Sequence, residues 1–158
     1  MFFLNFSDRR TGNCGSIAAF CAQMQGGRAV DIPEIFARGC GACQTECFQK
    51  DGVCPLPDAP AITALYEAIT EQGACFIVPN YCDWPCSNFF RFCERGCGYF
   101  GTGTERAERY LAAEKHFIVV RNTNRAHFEE IFSEHVPSAN SPHILFLSAA
   151  AYHRVSLR

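Results

Sequence analysis

Four cysteines follow one another closely between residues 39 and 57, with the spacing C-x2-C-x3-C-x6-C. Cysteine thiolates grouped in this way can surround one metal centre without long-range folding, and they select iron–sulfur clusters or zinc. Four packed core cysteines would explain the pattern less well, because the residues between them are polar or small. The predicted metal ligands are Cys40, Cys43, Cys47 and Cys54.

A polar turn near the start of the chain has the composition of an anion site. The apolar run 2–6 is followed by Ser-Asp-Arg-Arg-Thr-Gly-Asn-Cys-Gly-Ser at 7–16. An amphipathic segment comes next, with apolar side chains at Ile17, Phe20, Cys21 and Met24. The pattern predicts strand, loop and helix, whose first N–H groups can converge on an anion. Considered alone, the loop is equally typical of an ordinary β–α turn with capping residues.

A second candidate loop follows the continuous apolar run 74–78, which is typical of a central parallel strand. It carries Tyr81 and the only tryptophan, Trp84, whose flat faces could contact a ring system. In a parallel sheet such loops meet at the carboxyl ends of the strands, where ligands bind. The alternative is that both rings only cover the end of the sheet. A third loop at the same edge, 121–124, has amide side chains that could contact a bound ligand. The alternative is that this loop is only a solvated turn.

The elements that must position these loops alternate along the chain. The predicted strands are 2–6, 29–36, 74–78, 116–120 and 143–147, and Pro33 marks the second as an edge strand. Long helical crossovers between them predict an α/β fold with a five-stranded parallel sheet of order 2-1-3-4-5. The length fits a single domain over residues 1–158, with a Cys-rich insertion at about 39–57.

The helices are predicted from apolar periodicity and caps. One begins after Asp58 and ends at Gly73, with a buried stripe of Ile62, Leu65, Tyr66 and Ile69. A helix from Pro85 is broken by glycines at 96, 98, 101 and 103 into a mobile loop, and others cover 104–113 and the stripe Phe128, Ile131, Phe132 and His135. The last helix, within 149–158, is short or absent, and we expect a partner subunit to cover the face left open.

More cysteines lie near the second loop. Cys86, Cys93 and Cys97 fall on one face of the predicted helix, where cysteine can act as a small hydrophobe. Cys82 and Cys86 could instead be redox-active or face the cluster, and a second metal site is a further alternative. The histidines are expected at the surface or at strand starts, and no catalytic residue is assigned.

Composition excludes several classes of function. The net charge of −2 gives no basic face for nucleic acid, and no apolar run is long enough for a membrane span. The start of the chain lacks the basic region of a signal peptide. The 11 cysteines are odd in number and lie in tight groups, which argues against a secreted disulfide framework. We therefore expect a cytoplasmic protein.

The first loop, Ser-x-Arg-x-x-Gly-Asn followed by a small residue, resembles the phosphate loop of the flavodoxin-like NADPH-dependent FMN reductases. Cys14 stands where that family usually has Ser or Thr. The Pro-x-Tyr step at 79–81 is similar to the family segment under the isoalloxazine ring, and 91–95 partly matches its Lys-x-x-x-Asp-Arg ending. The resemblance implies a flavodoxin-like three-layer sandwich that binds FMN. The FMN contacts that it implies are Ser7, Arg9, Gly12, Asn13, Cys14, Gly15, Ser16, Pro79, Asn80, Tyr81, Cys82, Asp83, Trp84, Asn122 and Thr123.

The cysteine motif resembles that of the iron–sulfur flavoproteins, in which the spacing between the second and third Cys is usually tighter. This implies a [4Fe-4S] cluster beside the flavin and a homodimer or higher homo-oligomer in which one subunit's cluster faces the other's flavin. The implied function is a flavin oxidoreductase that takes electrons from NAD(P)H or a ferredoxin-like partner. The alternative is a flavin-free α/β module that uses zinc or thiols for binding or redox sensing.

Overall fold

The computed structural model describes residues 1–36, 38–49, 53–101, 104–121 and 125–148. It is an α/β protein with a parallel sheet, as predicted. The strands are β1 (Phe2–Asn5), β2 (Arg28–Asp31), β3 (Ala74–Tyr81), β4 (Trp84–Pro85), β5 (Lys115–Val120) and β6 (His143–Leu147). The parallel path has the order β2-β1-β3-β5-β6, whereas β4 pairs antiparallel with β3. The predicted order 2-1-3-4-5 omits β4, so its fourth and fifth strands are β5 and β6.

The helices connect these strands and vary in length. They are α1 (Asn13–Gln25), α2 (Glu46–Gln49), α3 (Ala59–Gln72), α4 (Ser87–Arg95), α5 (Cys97–Phe100), α6 (Thr104–Ala112) and α7 (Arg125–Ser133). A short 3-10 turn, Ile32–Glu34, follows β2. None of these helices, in the ranges described above, is long and apolar enough to cross a membrane.

The sheet has a separate core on each face, because side chains alternate along a strand. One core joins Phe3, Ile77 and Ile118 to the buried side of α1. The opposite core is larger and strongly aromatic, with Leu4, Phe76, Phe117 and Val119 packed against α3, α4 and α7. The sheet therefore lies between α1 and this group of helices, and its carboxyl edge is left for the connecting loops.

The predicted stripe of α1 is only partly correct. Ile17 is buried, but Phe20 and Met24 are 59% and 69% exposed. Ala18 and Ala22 lie against the sheet instead. Small side chains let the helix axis approach the strands closely, so the apolar contact falls one residue away from the predicted stripe.

The second strand is shorter than predicted. It ends at Asp31, and Pro33 lies in the 3-10 turn that follows, in place of a strand running to Phe36. Proline lacks an N–H for the sheet and has a fixed φ that suits the first turn of a helix. The expected edge position is confirmed, since β2 ends the parallel path.

The predicted helix from Pro85 is wrong in its extent. Pro85 belongs to β4, Cys86 caps α4, and α4 ends at Arg95. After Gly96 the short α5 begins, and it places Cys97 at the surface, so the three cysteines do not share one helix face. The region 96–100 is helical and not the glycine-broken loop that was predicted.

Three other predictions have mixed outcomes. The stripe of α3 is confirmed, with Ile62, Leu65, Tyr66 and Ile69 buried. His135, expected near the surface, lies beyond the end of α7 and is buried among aromatic rings. Its hydrogen bond with the buried Tyr110 hydroxyl makes this burial tolerable. The predictions for 149–158, Gly103, Asn122 and Thr123 lie outside the described residues.

Candidate functional site at the carboxyl edge of the sheet

The connections that follow β1, β3 and β5 leave the same edge of the sheet, and side chains link them. Asn88, in the first turn of α4, donates to the Phe6 carbonyl at 3.0 Å and to the Asp8 carboxylate at 2.9 Å. Arg121, directly after β5, lies 5.9 Å from the centre of the Tyr81 ring at the end of β3. The candidate site is therefore one rim, which we call the carboxyl rim, built from three connections.

Side chains within the β1–α1 loop hold its backbone in shape. The Ser7 N–H donates to Asn5 Oδ1 at 3.0 Å, and the Arg9 N–H donates to Ser7 Oγ at 3.2 Å. Asn5 in turn donates to Asp31 at the end of the edge strand at 2.8 Å. Ser7 is buried in this arrangement. The loop thus has a defined conformation that is anchored on β2.

The two arginines of this loop have different surroundings. Arg10 forms ion pairs with Asp31 at 3.1 Å and Glu34 at 2.6 Å. Arg9 is exposed, and within the described part of the chain no carboxylate lies within ion-pairing distance of its guanidinium. Arg9 is therefore the loop cation that remains for an anionic ligand.

The start of α1 provides a positively polarised surface next to Arg9. The first turn, 13–16, contains no acidic residue. Its cap residue is Gly12, so no cap side chain accepts a hydrogen bond from the first N–H groups of the helix. The partial positive charge of a helix N-terminus attracts anions when it is not neutralised. Gly15 is required for a different reason, since a Cβ there would lie 1.8 Å from the Arg10 carbonyl oxygen.

Cys14 stands where the FMN reductases that the loop resembles usually have a hydroxyl residue. Its side chain is buried beneath the first turn of α1. Burial raises the pKa of its thiol to about 12, and the nearby thiol of Cys86 acts in the same direction, while Arg121 opposes it. Cys14 is thus a neutral thiol and a weak donor at physiological pH. The peptide groups and Asn13 and Ser16, both half-buried, are stronger donors at this position.

The segment 79–84 is a hairpin, not the irregular loop that was predicted. Pro79 and Asn80 are buried inside β3, and Tyr81 pairs with Trp84 across a two-residue turn. The φ angles of Cys82 and Asp83 are +54° and +65°, as in type I′ turns, where glycine and asparagine are normal. Pro79 and Asn80 are therefore strand residues with little exposed surface, whereas residues 81–84 are exposed.

The hairpin exposes two flat aromatic faces at the rim. Tyr81 is 45% exposed and Trp84 is 51% exposed, and Trp84 stacks on His127 at a centroid distance of 5.1 Å. Arg121 also has a positive φ, of +102°. Left-handed backbone at non-glycine residues is strained and is concentrated at functional sites. Three of the five described non-glycine residues with positive φ lie at this edge, and the other two, Gln44 and Thr45, lie in the cysteine segment.

The four predicted metal ligands share one segment but differ in exposure. Cys40 is exposed, Cys43 and Cys54 are half-buried, and Cys47 is buried. Among the described residues, which exclude 50–52, no group of three or more His, Cys, Asp or Glu side chains is arranged to hold a metal ion. The structure brings the four cysteines into one region and does not assemble a ligand set.

A fifth thiol and a buried arginine border this segment. Desolvation raises the pKa of Cys40, and the neighbouring Cys97 thiol raises it further. Arg95 is 3% exposed, and its guanidinium lies 3.7 Å from Cys54 Sγ. A Cβ at Gly98 would lie 3.1 Å from Cys54 Cβ. The end of α4 and the start of α5 therefore form the floor beneath Cys54.

Sequence reasoning missed Asn88 and His135. Asn88 could have been noticed as a polar side chain directly before the buried Phe89 at a helix start. His135 stands at the end of the predicted stripe Phe128, Ile131 and Phe132, and this place in the pattern was the only sequence signal for its burial. The comparisons add no family: no protein-family model matches the chain, and no curated protein matches it significantly.

Proposed function

We propose that this protein is an FMN-binding redox protein with a flavodoxin-like fold, which acts as an NAD(P)H-dependent flavin oxidoreductase. The observation that carries the proposal is the proximity of two features at the carboxyl rim. The first turn of α1, which has neither an acidic residue nor a side-chain cap from Gly12, lies with Arg9 at one edge of the sheet. The exposed rings of Tyr81 and Trp84 lie at the same edge. FMN has an anionic phosphate at one end and a flat ring system at the other.

The phosphate end fits the β1–α1 loop. Arg9, the hydroxyl of Ser7, the side chains of Asn13 and Ser16 and the N–H groups around Gly12 and Gly15 would bind it. The Cys14 thiol would contribute little, because it is neutral and a weak donor. The shape of the loop does not depend on that thiol, since Asn5 and Ser7 hold the backbone.

The ring end fits the hairpin. Tyr81 and Trp84 would stack against the ring system, and Cys82 and Asp83 would lie at its edge. Arg121 would supply a positive charge near its polar end. FMN, when bound, would supply hydride exchange with a nicotinamide and single-electron transfer. The protein would bind and orient the ring, and we assign no catalytic side chain.

The cysteine segment extends the proposal to a second redox centre. Cys40, Cys43, Cys47 and Cys54 would hold a [4Fe-4S] cluster, and zinc is the alternative metal. Assembly of this centre would require the segment to rearrange around the metal, as is common when binding is coupled to folding. A homodimer and a ferredoxin-like partner belong to the same proposal.

The rival function is a flavin-free zinc or thiol module. Its supporting observation is the neutral, buried Cys14 at the position where the resembling family has a hydroxyl. Anaerobic purification with flavin and metal analysis separates the two functions. The first predicts a yellow-brown protein with flavin absorption at roughly 375 and 450 nm and bound iron. A colourless protein that contains zinc and does not bind added FMN would contradict it.

A further inference from the structure

A cavity of about 430 Å³ lies in the aromatic core region on the face of the sheet opposite α1. Its wall includes Phe90, Phe100, Leu111 and Ile131, from helices α4 to α7. Small-molecule sites commonly have volumes of about 300–1,000 Å³ and mostly apolar walls with a few polar groups. None of the described lining residues belongs to the carboxyl rim, so this cavity is a separate place in the fold.

Three polar side chains form a hydrogen-bonded chain in the cavity wall, which we call the Cys–His–Tyr relay. Cys93 Sγ lies 3.5 Å from His135 Nε2, and Tyr110 Oη lies 2.8 Å from His135 Nδ1. His135 and Tyr110 are buried, and Cys93 is half-buried. Apart from this relay and Glu134, the wall is mostly aromatic and aliphatic.

The relay is neutral at physiological pH. Burial lowers the pKa of His135 to about 4 and raises the pKa of Cys93 to about 12. Burial also raises the pKa of the Tyr110 hydroxyl. Each of the three side chains therefore carries one polar hydrogen.

Counting these hydrogens gives one donor too many for the relay itself. If His135 carries its proton on Nδ1, Cys93 donates to Nε2 and the Tyr110 hydroxyl is left over. If the proton is on Nε2, Tyr110 donates to Nδ1 and the Cys93 thiol is left over. Within the described ranges, no other acceptor lies within hydrogen-bonding distance of Tyr110 Oη or Cys93 Sγ. The leftover donor is thus either the buried Tyr110 hydroxyl, for which the lack of an acceptor is unfavourable, or the half-buried Cys93 thiol, which is a weaker donor.

We propose that this cavity binds a neutral, flat aromatic molecule with one hydrogen-bond acceptor, such as an aryl ketone, and that the spare donor of the Cys–His–Tyr relay bonds to that acceptor. The aromatic and aliphatic walls supply apolar contact for the ring. The relay fixes the orientation of the polar end.

The charges around the cavity disfavour an anionic ligand. Glu134 is part of the wall. The nearby ammonium group of Lys115 already donates to the carbonyls of Tyr110, Leu111 and Ala113, so it is not available to a ligand. A carboxylate or phosphate in the cavity would therefore meet a negative group and no free cation among the described residues.

The test compares three ligands of similar size on the full chain: 2-acetylnaphthalene, 2-ethylnaphthalene and 2-naphthoate. Binding is followed by the methyl NMR signals of Ile131, in the cavity wall, and Ile17, in the core on the other face. The ketone should shift Ile131 and leave Ile17 unchanged. The hydrocarbon should bind about threefold to tenfold more weakly, the value of one neutral hydrogen bond. The naphthoate should not bind at the same concentration.

A matched pair of variants tests the location. Ala107→Phe fills the cavity and should abolish binding of the ketone, whereas Ala112→Phe, at an exposed position of the same helix, should leave it unchanged. Equal affinity for ketone and hydrocarbon would overturn the role of the relay. No shift at Ile131, or tighter binding of the naphthoate, would overturn the site. The ligand comparison uses the wild-type chain and holds even if Ala107→Phe does not fold.

Discussion

The guanidinium of Arg95 donates two hydrogen bonds to the carboxylate of Asp58, at 2.7 and 2.9 Å. The same guanidinium donates to the Arg38 carbonyl at 2.9 Å. Asp58 is the residue before α3 and was predicted to cap it, but its carboxylate bonds to Arg95 and gives α3 no cap hydrogen bond from any described residue. Arg95 therefore joins the start of α3, the end of α4 and the cysteine segment.

Removal of Arg95 should destabilise the protein strongly. The side chain is 2% exposed, and Arg95→Met removes the cation that donates two hydrogen bonds to the partly buried Asp58 carboxylate. Loss of one partner of a buried ion pair costs about 3–5 kcal/mol, and we expect the lower end because Asp58 is 16% exposed. Urea denaturation measures the change. The control is Arg10→Met, which breaks exposed ion pairs and should cost less than about 1 kcal/mol. Equal losses would contradict the structural role of Arg95.

Acid should destabilise the fold through His135. Its pKa in the folded protein is about 4, below the ordinary value of 6.5, so the unfolded chain takes up a proton first as the pH falls. The contribution of neutral His135 is complete above pH 6.5 and is lost as the pH falls towards 4. Between pH 7 and pH 4.5 the loss should be about 2 kcal/mol.

The measurement is the free energy of unfolding in urea at these two pH values. The carboxylates of the protein titrate in the same range, so His135→Gln serves as the reference, because glutamine does not titrate. The pH dependence of the wild type should exceed that of the variant by about 2 kcal/mol. Parallel pH profiles for both proteins would show that His135 does not titrate with folding.

Gly15 should tolerate no side chain, although it lies in a helix. Alanine normally stabilises a helix relative to glycine by about 1 kcal/mol. Here the added Cβ would lie 1.8 Å from the Arg10 carbonyl oxygen, and the clash could be relieved only by a shift of the backbone. We expect Gly15→Ala to lower the free energy of unfolding by about 2 kcal/mol or more. Gln23→Ala, at an exposed position of α1, is the control and should be neutral or slightly stabilising.

These results show which parts of the structure a sequence can reveal. The strand at 74–78 and the stripe of α3 were predicted correctly, because a strand buried on both faces leaves a continuous apolar run and a helix buried on one face leaves a periodic one. The exposed positions of Phe20 and Met24 were not predicted, since periodicity does not show how closely α1 approaches the sheet. The burial of His135 depends on partners 25 and 42 residues away, which no local pattern contains.

The rim shows the same division. The loops after β1 and β3 share one edge because these strands are parallel, and the alternating pattern predicted a parallel sheet. The hairpin turn at Cys82 and Asp83 was missed, because positive φ angles are normally signalled by glycine or asparagine. The difference between Arg9 and Arg10 was also hidden, since it depends on Asp31, the last residue of the next strand, and on Glu34 in the turn that follows.

Loss of the Arg9 side chain should weaken FMN binding while the fold is unchanged. A charge-assisted hydrogen bond to phosphate contributes about 1.5–3 kcal/mol, so Arg9→Ala should reduce the affinity by a factor of about 10 to 150. Fluorescence titration of the FMN-free protein measures it. Arg10→Ala is the matched control, because the Arg10 guanidinium is already paired with Asp31 and Glu34. If both variants bind FMN as the wild type does, Arg9 does not contact the phosphate.

Replacement of a predicted cluster ligand should separate the two proposed cofactors. Cys43→Ser removes one thiolate of the four-cysteine segment and none of the proposed phosphate contacts, so iron should be lost while the affinity for FMN stays within a factor of about 2. Iron and sulfide analysis of anaerobically purified protein, with FMN titration, measures both. Cys21→Ser, on the half-buried side of α1, is the control and should retain iron. Because a serine oxygen binds cluster iron more weakly than a thiolate and alanine offers no ligand at all, Cys43→Ala is measured beside Cys43→Ser. Wild-type iron in Cys43→Ala would exclude Cys43 from the ligand set and leave flavin binding as the part of the proposal still supported.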